Sequence, residues 1–269
     1  MPRSIWTGSL SFGLVNVPVS VEAAVRDQDL HFRQIHRKDG ALVEVQRWCS
    51  KEGAEVPYEE ITHGYELDDG RWITVSDLEL AAIEPRRTRT IDIEQFVELA
   101  EVDPMYFDHP YWLVPASDDD GAVRAYRLLT EVMGRTDRAA LGRLVMRAKE
   151  YLALVRARGG ALTLTTMRFA DEVRSPEDLD AATQKSHKPK RKQLDAAVAV
   201  IQALSGDWEP DDHKDRYRAR LKKVVDRKRK DETITMPDTE QTPEPVPDLM
   251  EALERTLEEL QEKEKAGAA

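Results

Sequence analysis

The chain has 269 residues, 41% of them apolar and 34% charged, with a formal net charge of -11 and a pI near 5.2. That length buries a core in one large domain or two small ones, which excludes a peptide or a fibre, and no apolar run nears the roughly 18 residues of a membrane span. Cys49 is the only cysteine, so intramolecular disulfides are excluded and a zinc site would have to combine it with histidines.

From Ile5 to Val25 the sequence reads as strands, with Trp6, Leu10 and Phe12 on one parity and Val15, Val17, Val19 and Val21 on the other. The parity changes at Gly13, which predicts a bulge or bend, and Pro18 predicts an edge or a strand end. Further short strands are expected from His31 to His36 and from Leu42 to Trp48, either side of Lys38, Asp39 and Gly40. Another is expected from Arg71 to Val75, after Asp68, Asp69 and Gly70. Thr90 to Val97 and Tyr111 to Val114 read as two more.

Asp118, Asp119, Asp120 and Gly121 lack the alternation of a calcium loop and predict a turn that caps a helix over 122–134, ended by Gly134. Ala140 to Arg168 reads as a β-meander with its second turn at Arg158, Gly159 and Gly160. Two helices follow, Gln193 to Leu204 and Asp211 to Lys230, each with one apolar stripe that needs a partner surface. Residues 231–247 form a Pro-rich acidic linker. Asp248 and Glu251 then make a capping-box pair at the start of a short helix with Leu249, Leu253 and Leu257 on one stripe.

Charge is distributed unevenly. Residues 1–184 carry 22 Lys/Arg against 32 Asp/Glu, 185–230 carry 15 against 7, and 231–269 carry 3 against 12, so the net charges are -10, +8 and -9. An acidic chain of this kind can still concentrate positive potential along one groove. Arg143, Arg147, Lys149, Arg156, Arg158 and Arg168 interleave with the meander and are expected to line one surface of it. Arg33, Arg37, Lys38 and Arg47 do the same around an earlier hairpin, and such rows suit a phosphate backbone. Residues 90–123 hold nine carboxylates and no Lys or Arg, and that face should avoid nucleic acid. No nucleophile motif, Gly-rich phosphate loop or His-Glu helix signature is present. Catalysis, a cofactor and a resident metal are therefore not predicted. A hydrolase built on Asp103, Asp108 and His109 with a divalent metal, and an acidic/basic interaction scaffold with incidental DNA affinity, are the competing readings.

Several separate motifs resemble one family. The opening Ile5, Trp6, Thr7, Gly8, Ser9, Leu10, Ser11, Phe12, Gly13 with Pro18 and Val19 is similar to the first strands of the prokaryotic Ku family. So are Gly64, Tyr65 and Glu66 ahead of Gly70, Thr90 to Ile93 ahead of Phe96, Asp103 to Phe107, Tyr151 to Ala153, Met167 to Phe169 with Glu172 to Arg174, and Tyr217 with Arg218. The resemblance implies a mixed, β-rich fold: a β-barrel with an inserted hairpin arm that forms a DNA-encircling ring as a homodimer, plus a C-terminal helical arm. It divides the chain into a core at 1–184, a dimer arm at 185–230, the linker at 231–247 and a ligase-recruiting helix at 248–269.

It further implies that the protein is not an enzyme. Its implied role is to bind double-stranded DNA ends in non-homologous end joining and to recruit and stimulate ATP-dependent DNA ligase D. The stretch from Arg143 to Arg158 resembles the family's bridge over DNA, so Arg143, Arg147 and Lys149 lead the lumen candidates, followed by Arg33, Arg37, Lys38 and Arg47. Leu249, Leu253 and Leu257 are the expected ligase contacts. The N-terminus has no signal-peptide pattern, so the expected location is the cytoplasm, at the nucleoid. The lysine-rich tail of some prokaryotic members has no counterpart after Lys265, which argues against extra DNA affinity from a tail.

Overall fold

The computed structural model describes residues 4–83, 88–179, 190–230 and 252–259. Strands β1 (Trp6–Phe12) and β2 (Val15–Ala23) form a hairpin through Gly13 and Leu14. Gly13 has φ 58 at the first turn position, where a side chain is disfavoured. The parity change read from the sequence is thus a chain reversal and not a bulge. Pro18 lies inside β2. Its carbonyl accepts from Ala116 N at 3.2 Å, just past the last residue of strand β8 (Phe107–Pro115). The proline nitrogen points the same way, beyond the end of that ladder, so its missing N–H removes no strand bond.

Strands β7 (Thr90–Glu98), β9 (Arg138–Met146), β10 (Lys149–Arg158) and β11 (Ala161–Met167) complete a closed barrel in the order β1-β2-β8-β11-β10-β9-β7. The predicted meander is β9, β10 and β11. Closure gives every strand two neighbours and leaves no sheet edge. Alternation along the strands turns Leu10, Val17, Val19, Ile91, Leu113 and Leu144 into one fully buried interior, joined by Val155, Leu162 and Leu164. In β7 the register shifts between Ile93 and Gln95, so Glu94 is the extra residue of a bulge. That bulge accounts for the break in parity between Ile93 and Phe96.

One mouth of the barrel is closed by helix α2 (Asp120–Thr136). Asp119 caps it as expected, accepting from Gly121 N at 3.1 Å and Ala122 N at 3.3 Å. The helix runs through Gly134 and is stopped by Asp137, which adopts the left-handed conformation with φ 50. Tyr126, Leu129 and Met133 face the barrel interior. The buried Tyr126 hydroxyl donates to Leu113 O at 2.7 Å and accepts from Leu162 N at 2.8 Å. Tyr126→Phe leaves both backbone groups unpaired in a dry site, at an expected cost of about 2 kcal/mol. Urea denaturation should show a lower midpoint at unchanged slope; an unchanged midpoint would mean that the hydroxyl does not tie the helix to the barrel.

The chain leaves the barrel after β2 and returns at β7, and this excursion carries little regular structure. It contains the pairs β3 (Trp48–Cys49) with β4 (Ala54–Glu55) and β5 (His63–Glu66) with β6 (Trp72–Val75), then helix α1 (Asp77–Ile83). The strands expected at 31–36 and 42–48 reduce to one bridge, Ile35 with Leu42, beside a turn at Gly40, and to Trp48 at the start of β3. Alternation there has no layer to bury a face against: Ile35, Leu42 and Val45 remain 59% or more exposed.

The chain divides into two compact units, Met1–Gln28 with Arg33–Pro176, and Asp29–Phe32 with Glu177–Ala269. In the second, helix α3 (Arg191–Leu204) starts at the Lys190 cap and helix α4 (Arg216–Lys228) starts at Asp215, whose carboxylate accepts from Arg218 N at 2.8 Å. The second helix is therefore shorter than the 211–230 expected from periodicity. Helix α5 spans 252–259. The linker at 231–247 and the capping pair Asp248 and Glu251 lie outside the described residues. Among the described residues no helix is long and apolar enough to cross a membrane.

Candidate nucleic-acid interface

Strand registers place the start of β1, the end of β2, the starts of β7 and β8 and the β9–β10 turn at the barrel mouth opposite α2. This is also the mouth from which the 24–89 excursion leaves. The β9–β10 turn holds only Arg147 and Ala148, at φ 53 and 64. A two-residue turn with two positive φ angles normally uses Asn-Gly, as the β10–β11 turn uses Gly159 and Gly160 at φ 58 and 79. Arginine and alanine there each cost about 1 kcal/mol in backbone strain. The turn is held by Trp6, whose indole N–H donates to Val145 O at 3.0 Å.

Arg147 and Lys149 are both exposed. The ammonium of Lys149 lies 5.3 Å from the Tyr151 ring centroid, so its stem is oriented without its charge being neutralised. Arg147 acts electrostatically on Tyr111. Burial pushes that phenol above its ordinary pKa of 10.0 and the guanidinium pulls in the opposite direction.

The other meander cations stand differently, and the six do not line one surface. Arg143 donates to Glu94 at 2.8 Å and to Glu150 at 2.9 Å, and these bonds, Glu150 first, hold its pKa above the ordinary value. Arg168 meets Asp108 at 3.3 Å and donates to Phe107 O at 2.8 Å. Arg158 stands at the far end of β10, about 30 Å from Lys149 at about 3.3 Å per residue. The acidic stretch 90–123 supplies Glu94, Glu98 and Asp108, the partners of Arg143, Arg138 and Arg168. Three of its nine carboxylates therefore neutralise arginines of the barrel.

The sequence reading also placed 143–158 in an inserted hairpin over DNA. Both strands are staves of the barrel, hydrogen-bonded on each side, and the real excursion is 24–89. Arg33, Arg37, Lys38 and Arg47 belong to it and are exposed, with the Arg47 guanidinium 5.0 Å from the Tyr58 ring centroid. Arg89, which periodicity did not single out, and Trp6, which it marked only as a strand residue, stand beside Arg147 at the same mouth.

Asp103, Asp108 and His109 have structural partners. Asp103 accepts from Met105 N at 2.8 Å, Asp108 accepts from the Thr166 hydroxyl at 3.1 Å, and the His109 ring lies 5.2 Å from that of Tyr111. Of the three leucines in the terminal helix, Leu249 lies outside the described residues. Leu253 and Leu257 are half-buried on one face of α5, and Glu254 pairs with Lys192 of α3 at 3.2 Å.

The Ku70/Ku80 beta-barrel domain family matches residues 11–196, which include six of the seven barrel strands in full and the last two residues of β1. The chain belongs to the Ku family. A relative from Anaeromyxobacter sp. (strain K), named Non-homologous end joining protein Ku, is 42% identical over 258 residues, covering 96% of this chain and 86% of its own. Proteins of the same name, numbered Ku 1, match from Saccharopolyspora erythraea at 40% over 259 residues and from Geotalea uraniireducens at 37% over 265. The coverages are 96% and 79%, and 96% and 97%, of this chain and of the relative. The closed seven-stranded barrel is thus the Ku barrel.

Proposed function

We propose that this Ku-family chain binds the ends of double-stranded DNA in non-homologous end joining, as a homodimeric ring that reads backbone charge and not sequence. The observation that carries the reading is the barrel mouth. Arg147 and Lys149 stand there on a strained turn without an ion pair among the described residues, beside an excursion bearing Arg33, Arg37, Lys38 and Arg47. Cations so placed neutralise phosphates, and backbone contacts carry no base preference. The proposal rests on Arg147 and Lys149 more than on Arg143, whose charge is already met by two carboxylates.

A second copy of the chain is the proposed cover for the exposed apolar residues of the excursion and helices, among them Trp72 at 64% exposure, Ile201 at 66% and Tyr217 at 68%. The helix at 248–269 is proposed to recruit and stimulate ATP-dependent DNA ligase D through Leu249, Leu253 and Leu257. The work would be done in the cytoplasm, at the nucleoid.

The test compares a linear duplex with the same DNA covalently closed, at one stated salt concentration, for the full chain and for a chain ending at 247. Tight binding to the linear form alone, in both chains, with ligase stimulation lost on truncation, is the expected result. Equal binding to closed and linear DNA would replace the ring by an open basic surface. Loss of DNA binding on truncation would end the separation of DNA and ligase contacts.

A further inference from the structure

A cleft of about 420 Å³ opens at the same barrel mouth, lined by Trp6, Thr7, Thr88, Arg89, Val145 and Arg147, with Ala148. Three separate stretches build it: the start of β1, the two residues ahead of β7, and the β9–β10 turn. Gly8 makes their close approach possible. A Cβ there would overlap the Arg89 carbonyl oxygen and lie 2.8 Å from its carbon. The same carbonyl accepts from Ser9 N at 2.9 Å, which fixes the backbone of Arg89 against β1. Trp6, bonded to Val145 O, ties β1 to the turn that carries Arg147.

The charge of this cleft is not met by carboxylates as that of other arginines is. Arg71, Arg135, Arg138, Arg143 and Arg168 each meet a carboxylate within 3.3 Å. Among the described residues, Arg89 and Arg147 have no ion-pair partner and no carboxylate lines the space between them. Two guanidiniums present planar, donor-rich groups suited to tetrahedral oxyanions, and the Thr88 hydroxyl adds a further donor. The strain at Arg147 is retained where glycine would relieve it, which indicates a side chain needed at that place.

We infer that this cleft seats one phosphate group of a nucleic-acid strand between Arg89 and Arg147. The inference rests on the DNA-end reading above and adds to it a built subsite and two residues, Arg89 and Trp6, that the sequence did not mark as binding residues. Arg89 and Arg147 hold the anion; Trp6 is a positioning residue that keeps the turn against β1.

The test measures affinity for a linear duplex in the full-length protein and in Arg89→Gln, Arg147→Gln and the double variant, with 5′-phosphorylated and 5′-hydroxyl ends compared throughout. Loss of one phosphate contact lowers the salt slope by about 0.9, which amounts to about eight-fold in affinity at 0.1 M salt. Each single variant should show that loss. The double variant should lose less than the product of the two, because both side chains hold one phosphate. A loss seen with both kinds of end assigns the cleft to an internal phosphodiester, and a loss seen only with 5′-phosphate assigns it to the terminal monoester; either upholds the site. Unchanged affinity in the single variants, or losses that multiply, would overturn it while leaving end binding intact. Failure of the unaltered protein to bind any linear duplex would instead overturn the DNA reading itself. Both substitutions lie on exposed side chains, and an unchanged melting temperature would separate lost contacts from lost fold.

Discussion

Gly142→Ala is expected to destabilise the barrel by about 3 kcal/mol or more. Gly142 sits on β9 opposite the bulge of β7, where two backbones approach more closely than a side chain permits. A Cβ there would overlap the Asp92 carbonyl oxygen and lie 2.9 Å from the Asp92 carbonyl carbon and 3.0 Å from Ile93 Cα. Each of these is main chain, so no rotamer change relieves the overlap, and the two strands must separate. That separation would also pull Glu94 from Arg143, now 2.8 Å apart. Gly206→Ala is the matched control, since nothing lies within 4 Å of its added Cβ. Thermal unfolding of both variants decides the point: a Gly142→Ala protein within about 0.5 kcal/mol of the original would show that the bulge relaxes freely.

The second large effect concerns charge at the turn of the same hairpin. Replacing Arg147 and Lys149 together by glutamate should weaken binding to a linear duplex by about 10²-fold at 0.1 M salt and lower the salt slope by about 2, equally for unrelated sequences. Two phosphate contacts are lost, and two new negative charges face the strand. Arg156→Glu with Arg158→Glu changes the net charge by the same amount at the other end of β10. It should leave the slope nearly unchanged. Equal losses in the two double variants would mean that overall charge, and not the barrel mouth, governs binding. A shift in sequence preference would count against backbone recognition.

Much of the barrel was legible in residue order because its signals are local. Two-fold alternation in Tyr151, Ala153 and Val155 marks a strand whatever its neighbours, and Gly159 with Gly160 marks the turn that follows. The same rule failed at 31–48. Strand propensity there meets no second layer, so Ile35 and Val45 stay exposed and the ladder does not form. Gly134 was misread as a helix end because glycine often occupies that position, yet the left-handed residue is Asp137.

The site was less legible than the fold. Counting cations along the chain gave Arg143, Arg147 and Lys149 equal standing, although only three residues separate Arg143 from Arg147. Tertiary pairing divides them. The bulge at Glu94 and the register of Glu150 bring two carboxylates to Arg143, while the turn carries Arg147 past the reach of any carboxylate among the described residues. Arg89 carried no signal in sequence because its meaning depends on β1 and the β9–β10 turn, which lie far from it along the chain.

Composition, alternation and turn residues by themselves determined that this chain forms a β-rich, acidic protein with a basic helical segment, and its ordered motifs determined its resemblance to the Ku family. Those properties depend on residues near one another in sequence, or on simple totals. Which cations are neutralised, which mouth of the barrel α2 covers, and where the chain leaves to form its excursion were decided only by barrel closure. Closure brings β1 against β7 and carboxylates of 90–123 against the arginines of β9 and against Arg168 just after β11, and an ion pair across strands depends on register, which no count along the chain contains.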